Sequence, residues 1–360
     1  MAKTIGILTS GGDCGGLNAV IRAVVHRAAH YRWKVLGIRD GTMGLLDRPV
    51  RFTKLDLSTA NSTMMRLGGT ILGTTNKGNP FAFPVPGKGV RDRSEEIIAG
   101  IRALGLDAVI GIGGDGSFAI LRRLAQQGKF NLVGVPKTID NDIGLTESSV
   151  GFDTAVAIAT EALDRLQPTA ASHARVMILE VMGRDAGHIA LHAGIAGGAD
   201  IILLPEIPYR IEHIARKIDA LKAQGRNFAL VVVSEAVRTS EGKKVKKQHK
   251  GGAATLGGVA HYLGEQIAEA TGAETRVTVL GHVQRGAPPS ALDRLIGTAF
   301  GVHTVDMIAE KKFDRMVAWQ NRQVVDVPLE SVVGRSRTVD PDGTLVRTAR
   351  GLGICLGDAA

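Results

Sequence analysis

Short apolar, β-branched runs alternate along this 360-residue chain with stretches of helical spacing, and most runs end in a Gly-rich or acidic cluster. No other feature narrows the fold as far. Strands separated by helices pair in parallel and are buried on both faces, so they read as continuous apolar runs. Thr4–Leu8 fits such a strand, followed by a helix over Asn18–Arg32. Ala108–Ile112 is another, with a helix to about Gln127, and Asn131–Val135 follows. The pattern resumes with Val176–Val181, Ile201–Leu204, Phe228–Val233 and Arg276–Leu280. A chain of this length builds about two packed domains. In open α/β sheets ligands bind beyond the carboxyl ends of the strands. The clusters at the strand ends are therefore expected to converge on one cleft or on two facing ones.

A formal charge of +9 fits an anionic ligand as well as plain solubility. Nucleic acid is a poor fit, because aromatics make up only 4% of the chain and do not interleave with basic residues. The densest basic run, Lys243 to Lys250, reads as a solvated loop. Cys14 and Cys355 are the two cysteines, which excludes a disulfide framework and a zinc-ligand spacing. The apolar run after Met1 is too short for a secretory signal. No stretch approaches a membrane span. A cytoplasmic setting, with neither membrane nor nucleic acid as partner, is the expectation.

Thr9-Ser10-Gly11-Gly12-Asp13-Cys14-Gly15-Gly16 joins the first strand to the first helix. Its glycines let the backbone approach an anion, and free amides at a helix N-terminus favour phosphate. A tight turn without a ligand has the same signature, and no Gly-Lys-Ser/Thr follows to make a Walker loop. Gly113-Gly114-Asp115-Gly116-Ser117 repeats the geometry around one carboxylate. A lone Asp among amides suits magnesium carrying phosphates, which takes one or two carboxylates plus waters. A helix-capping Asp is the plainer alternative.

Asp140 and Asp142 stand two apart after a strand. If that segment is extended, period-two geometry sends both carboxylates to one side. One can then hold metal or water while the other accepts the proton of an attacking hydroxyl. As turn-forming Asx residues they would do neither. Arg175, Arg184, Arg276 and Arg285 lie in or beside strand-end clusters, with His282 three residues before Arg285. Guanidinium groups so placed clamp phosphate bidentately, and four together weigh against simple surface ion pairs. Cys14 lies near a helix N-terminus, where thiol pKa tends to fall, but with no His in its loop it reads as a packing residue. The residues alone point to an α/β phosphotransferase for a multiply anionic substrate.

Taken in order, the clusters resemble the phosphofructokinase family. The matching segments are Ser10-Gly11-Gly12-Asp13, Gly68-Gly69-Thr70, Gly113–Ser117, Lys137–Asp142, Glu180–Arg184, Ser234-Glu235 and Gly281–Arg285. They run from Lys3 to about Arg285, and the Thr-Ile-Asp-Asn-Asp and Met-Gly-Arg pieces together are very specific. The resemblance implies two Rossmann-like αβα domains with mainly parallel sheets and an active-site cleft between them. Residues 1–151 with about 285–334 would take the phosphoryl donor, and 152–284 with about 335–360 the sugar phosphate. The implied activity is that of an ATP-dependent 6-phosphofructokinase of glycolysis, acting on the C1 hydroxyl of fructose 6-phosphate.

In that frame Asp140 is the base, while the Gly12 amide and Arg184 steady the transferring group. Asp115 binds Mg2+. Gly114, Gly116 and Ser117 line the donor site with Gly12, Asn76 and Lys77. Thr138, Met182, Gly183, Glu235, His282 and Arg285 hold the sugar phosphate together with Asp140 and Arg184. Arg175 and Arg276 match positions that reach the 6-phosphate of a neighbouring subunit's substrate. A homodimer or homotetramer with shared active sites is thereby implied.

Three departures shape the expectation. Lys137 is the residue of pyrophosphate users, whereas Gly116 leaves the room a nucleotide needs, so the donor reads as ATP with pyrophosphate as the alternative. Asn76, followed by Lys77, stands where a donor-phosphate Arg is usual. The regulatory site of the short bacterial enzymes is depleted: Arg22 and Asp200 remain, but His26, Gln167, Gly225 and Asn227 occupy the other basic positions. The tail, Val324–Gly357, resembles the extension of the longer branch, close to the pyrophosphate-dependent enzymes. A nicotinamide-nucleotide or lipid kinase built on the Gly-Asp loop is a further alternative, which the Asp140–Asp142 and Met182–Arg184 clusters weigh against. An inactive sugar-phosphate sensor is another, and retention of Asp115, Asp140 and Arg184 weighs against it.

Overall fold

The computed structural model of the protein describes residues 2–247 and 255–359. They form two compact units, one of Met1–Ile139, Ile143–Thr154 and Arg285–Ser336, the other of Asp140–Asp142, Ala155–Gln284 and Arg337–Ala360. In chain order, the strands of the main sheets begin with β1 (Thr4–Thr9), β2 (Lys34–Ile38), β3 (Phe52–Leu55), β4 (Ala108–Gly113) and β5 (Leu132–Pro136). There follow β6 (Val176–Val181), β7 (Ile201–Leu203), β8 (Ala229–Ser234), β9 (Thr275–Val279), β10 (Arg315–Gln320) and β11 (Gln323–Pro328). The longer helices are α1 (Leu17–His30), α2 (Ser94–Ala103), α3 (Asp115–Gly128), α4 (Phe152–His173) and α5 (His188–Ala196). To these are added α6 (Ile211–Ala223), α7 (Val259–Thr271), α8 (Ala291–Ala309) and α9 (Thr344–Gly351).

The first unit carries a seven-stranded sheet in the order β11-β10-β5-β4-β1-β2-β3. Its five central strands are parallel and each edge strand is antiparallel to its neighbour. Ile5 pairs with Ala108 and Ile7 with Ile110, all buried, which is why these runs lack polar alternation. The antiparallel edges read differently. β3 and β11 are partly exposed and mix polar with apolar residues, so they, with β2 and β10, lie outside the runs expected from sequence. α8 closes onto α1 because Gly297 and Gly301 leave no side chain between them. A Cβ at Gly301 would stand 2.6 Å from Ala23 Cβ and from the Val20 carbonyl oxygen.

The second unit holds an all-parallel sheet in the order β9-β6-β8-β7. Every residue of β6 and β8 is buried, and Ile178, Val231, Val233, Ile218 and Leu263 form its core. After α9 the chain returns to this sheet. The Ile202 amide donates to the Cys355 carbonyl at 3.0 Å, and the Cys355 amide to the Asp200 carbonyl at 2.9 Å. The tail thus covers the outer edge of β7, whose peptide groups would otherwise be open to pairing with another chain.

The strand and helix cores fall where the periodicity puts them, with ends shifted by a residue or two. The basic run is not wholly a loop: Lys246–Lys247 pairs antiparallel with Thr255–Leu256, and Lys244 is ion-paired with Asp185. Gln248, His249 and Lys250 lie outside the described residues. Among the described residues no helix is long and apolar enough to cross a membrane.

Candidate active site

In the first unit β5, β4 and β1 are sheet neighbours, so the clusters that follow them emerge side by side. Gly11, at φ +84°, turns the chain after β1, and its amide donates to the Thr75 carbonyl at 2.9 Å. A Cβ at Gly11 would lie 3.3 Å from Lys137 Nζ and 3.4 Å from Ser117 Oγ, so three loops converge there. Lys137 Nζ donates to the Gly12 carbonyl at 2.5 Å, and the Lys137 amide to the Gly113 carbonyl at 2.9 Å. Arg285 joins from α8's side: its Nη1 donates to the Asp13 carbonyl at 3.0 Å. A Cβ on Gly12 would meet that same nitrogen at 2.7 Å, so a side chain here would displace the Arg285 guanidinium from its present position.

Asp115 is the first residue of α3, and its Oδ1 accepts the Gly334 amide at 2.8 Å. Gly114 precedes it as the N-cap, and Gly116 and Ser117 complete the first turn. A Cβ at Gly116 would meet nothing within 4 Å, so the space before it is open. Among the described residues no group of three or more His, Cys, Asp or Glu could hold a metal ion. Magnesium bound through donor phosphates needs only one or two protein carboxylates, so a single fixed Asp115 fits it. Asn76 and Lys77 are exposed, on the segment that pairs with Gly11 through Thr74 and Thr75. Thr138 is buried, its carbonyl accepting from Ser149 Oγ at 2.8 Å. Cys14 is the packing residue expected: it is fully buried, burial pushes its thiol up to about 12 against the tendency at a helix N-terminus, and Sγ donates to the Val150 carbonyl.

In the second unit the acceptor-side residues gather at the carboxyl ends of β6, β8 and β9. Gly183 has φ +154° and Arg184 φ +52°, so the chain doubles back immediately after Met182. A Cβ at Gly183 would lie 2.5 Å from the Ala186 carbonyl oxygen. The Arg184 amide donates to Glu235 Oε1 at 3.2 Å. Burial pushes the Glu235 carboxyl up to about 7. The Asp140 charge adds to the rise, against the Arg184 and Gly183 amides that pull it down. His282 is exposed beyond β9, after Gly281 at φ +50°.

Two expectations are corrected here. Asn141 has φ +51°, so Asp140–Asp142 is a turn and the alternation that would send both carboxylates to one side is broken. Asn, with its short amide, is among the few residues that take this conformation readily. Arg175 and Arg276 do not join the cluster at the carboxyl ends. Arg175 precedes β6 and Arg276 is the second residue of β9, at the amino ends of paired parallel strands. Seven residue steps separate Arg175 from Met182, roughly 23 Å of strand at 3.3 Å each. Glu274 joins the two arginines, with Arg175 Nη2 at 2.9 Å and Arg276 also ion-paired to it.

Gln284 and Glu180, within matched segments, and Asn18, outside them, have structural roles that the sequence alone did not assign. Gln284 is fully buried and its Oε1 accepts the Met182 amide at 2.8 Å. Glu180, buried within β6, accepts the Gly258 and Ala260 amides at the start of α7 at 2.8 and 2.9 Å. Asn18 binds the carbonyls of Leu67 and Gly69 and the amide of Ile71, fixing the Gly68–Thr70 loop. A buried polar residue in an apolar run is the one available signal for Glu180, and a weak one.

The sequence profile described as phosphofructokinase matches residues 4–308. A curated relative from Synechocystis sp., named ATP-dependent 6-phosphofructokinase 1, is 65% identical over 357 residues, which cover 99% of each chain. The solved structure of Pichia pastoris phosphofructokinase in the T-state matches 92% of this chain with a TM-score of 0.80 and 28% identity. This chain spans only 35% of that one. The pyrophosphate-dependent phosphofructokinase from Nitrosospira multiformis matches with a TM-score of 0.81 over 99% of this chain and 93% of its own. At 21% identity that is a likeness of fold alone.

Proposed function

The chain belongs to the phosphofructokinase family, and on that premise we propose that it transfers the γ-phosphoryl group of ATP to the C1 hydroxyl of fructose 6-phosphate. The products are fructose 1,6-bisphosphate and ADP. The observation that carries this reading is the 65% identity, across 99% of both chains, to a relative named for ATP dependence and for this reaction. The open space at Gly116 favours the nucleotide over pyrophosphate, because a donor with an α-phosphate needs it. Lys137, engaged with the Gly12 carbonyl, braces the first loop and serves either donor.

In this reading the loops after β1, β4 and β5 hold the donor phosphates through backbone amides, with Ser117 and the Asn76-Lys77 segment alongside. Asp115 would hold magnesium, which when bound would supply charge neutralisation on the donor phosphates. Asp140 takes the proton from the C1 hydroxyl as its oxygen attacks the γ-phosphorus. The Gly12 amide and Arg184 stabilise the charge spread over the transferring group, which is where such catalysis gains most. Glu235, titrating near 7, hydrogen-bonds a sugar hydroxyl as acceptor or donor, and Met182, Gly183, Thr138, His282 and Arg285 complete the sugar-phosphate contacts. Arg175 and Arg276 serve the substrate of an adjacent copy in a dimer or tetramer with shared sites. A cytoplasmic setting belongs to the same proposal.

The test is turnover of fructose 6-phosphate with magnesium and each donor in turn. ATP should support it, and Gly116→Asp should abolish ATP use by placing bulk and like charge in the open space. Turnover with pyrophosphate and none with ATP would overturn the donor assignment.

A further inference from the structure

The tail of the second unit also reaches the segment that bears the base. Arg337 donates Nε and Nη2 to the Asn141 carbonyl at 3.2 and 2.9 Å. Its backbone amide donates to the Asp142 carbonyl at 2.7 Å. Asn141 is 3% exposed, so its carbonyl lies away from water and needs a donor inside the protein. A charged fork giving two N–H groups to one oxygen is a strong and directional donor.

Arg337 is itself held. Its carbonyl lies 3.3 Å from Nε2 of His188, the first residue of α5. Burial lowers the His188 pKa to about 4, so the ring is neutral at physiological pH. Two residues on, the Val339 amide donates to Glu206 Oε1 at 2.8 Å, and the same oxygen takes the Gly187 amide at 2.9 Å. The segment that carries Arg337 is thus tied to the start of α5 and to the turn after β7.

We propose that Arg337 is a positioning residue for Asp140, holding the turn Asp140–Asp142 in the conformation from which the carboxylate meets the sugar hydroxyl. The proposal rests on the reading of Asp140 as the base. The left-handed Asn141 is disfavoured in isolation, and Arg337 bonds two of the turn's three carbonyls, that of Asn141 through its guanidinium and that of Asp142 through its amide. Without the guanidinium the turn relaxes toward the extended form and the base moves. A displacement on the order of 1 Å in a catalytic group costs about 10²-fold in rate.

The experiment is a cycle of Arg337→Ala and Asp140→Asn, singly and together, with Arg337→Lys as a third variant. Arg337→Ala should lower kcat about 10- to 100-fold with KM for fructose 6-phosphate changed less than about 3-fold. Arg337→Lys should fall between, because an ammonium keeps one charged donor. In the Asp140→Asn background, Arg337→Ala should lower kcat by less than about 2-fold further, since a residue that acts through the base then has nothing to position. Losses that multiply across the cycle would overturn the proposal, as would wild-type kcat in a folded Arg337→Ala. Should the alanine variant not fold, the lysine variant runs the same cycle with the same two outcomes. Full turnover by Asp140→Asn would overturn the base assignment and the positioning role together, whereas the other adverse results overturn the positioning role alone.

Discussion

At the carboxyl edge of the β9-β6-β8-β7 sheet, the Met182 and Arg184 amides donate to buried or half-buried side chains and Gly183 and Arg184 have positive φ, while the Arg184 side chain itself is exposed. At the amino edge of the same sheet, Arg175 and Arg276 share Glu274, whose side chain is 47% exposed; Arg276 is 53% exposed, whereas Arg175 is 23% exposed with its Nε buried. Both edges carry arginines and a glutamate, yet the environment drives the two carboxyls in opposite directions. Burial raises Glu235 to about 7, whereas the hydrogen bond from Arg175 holds Glu274 below the usual carboxylate range. The first edge is organised before any ligand arrives. The second is a shared ion pair whose Arg276 and Glu274 members are half exposed, the kind of interaction that contributes little to stability.

The sharpest break of this comparison is Asp140→Asn. It should lower turnover by at least ~10²-fold with fructose 6-phosphate binding little changed, as read by kcat and by equilibrium binding. A comparable loss from an amino-edge substitution with no change in KM would erase the distinction between the edges.

Arg175→Ala should instead act on substrate affinity, raising KM for fructose 6-phosphate about 10-fold or more through the loss of a charged phosphate contact. Mixed with Asp140→Asn under verified subunit exchange, it should regain activity, because one site per interface then keeps both wild-type residues. Read at fructose 6-phosphate well below the raised KM, a mixture no more active than the mean of its parents places Arg175 within its own chain's site.

A smaller effect concerns Glu235 and pH. The folded protein keeps the Glu235 proton up to about pH 7, while the unfolded chain releases it near the ordinary 4.5. The unfolded state therefore binds fewer protons in that window, and stability falls as pH rises from about 4.5 through 7. Glu235→Gln should remove this loss, so its Tm relative to wild type should be higher at pH 8 than at pH 4. Equal differences at both values would show that the carboxyl is not perturbed.

Smallest of all is Glu274→Gln at the exposed pair. Its Tm should stay within about 2 °C of wild type, as for surface ion pairs generally. A drop beyond about 5 °C would mean that the amino edge is structurally organised after all.

Much of this was legible in order along the chain. The glycine loops after β1 and β4, and the acidic turn after β5, are contiguous segments whose chemistry follows from residue type and local backbone demands. The apolar runs announce parallel strands because both faces of each are buried, and that needs no knowledge of partners. What sequence left open was direction and distance. That Arg175 and Arg276 flank the amino ends of β6 and β9 follows from the runs Val176–Val181 and Arg276–Leu280, but that the two strands pair and the arginines share Glu274 does not. That the left-handed Asn141 gives its carbonyl to Arg337, 196 positions away, is a fact of the fold alone.

The sequence by itself determined the α/β class, the glycine loops and the family, because periodicity and short motifs are local and survive without a fold. Only the tertiary structure decided which carboxyl is raised, which arginines share a carboxylate and which residues brace the Asp140–Asp142 segment. Burial and hydrogen-bond partners are properties of residues distant in the chain: Gln284 reaches Met182 across 102 positions, and the tail returns to cover β7. A side chain's charge is written in the sequence, but the field in which it titrates and the partner that aims it exist only once the chain has folded.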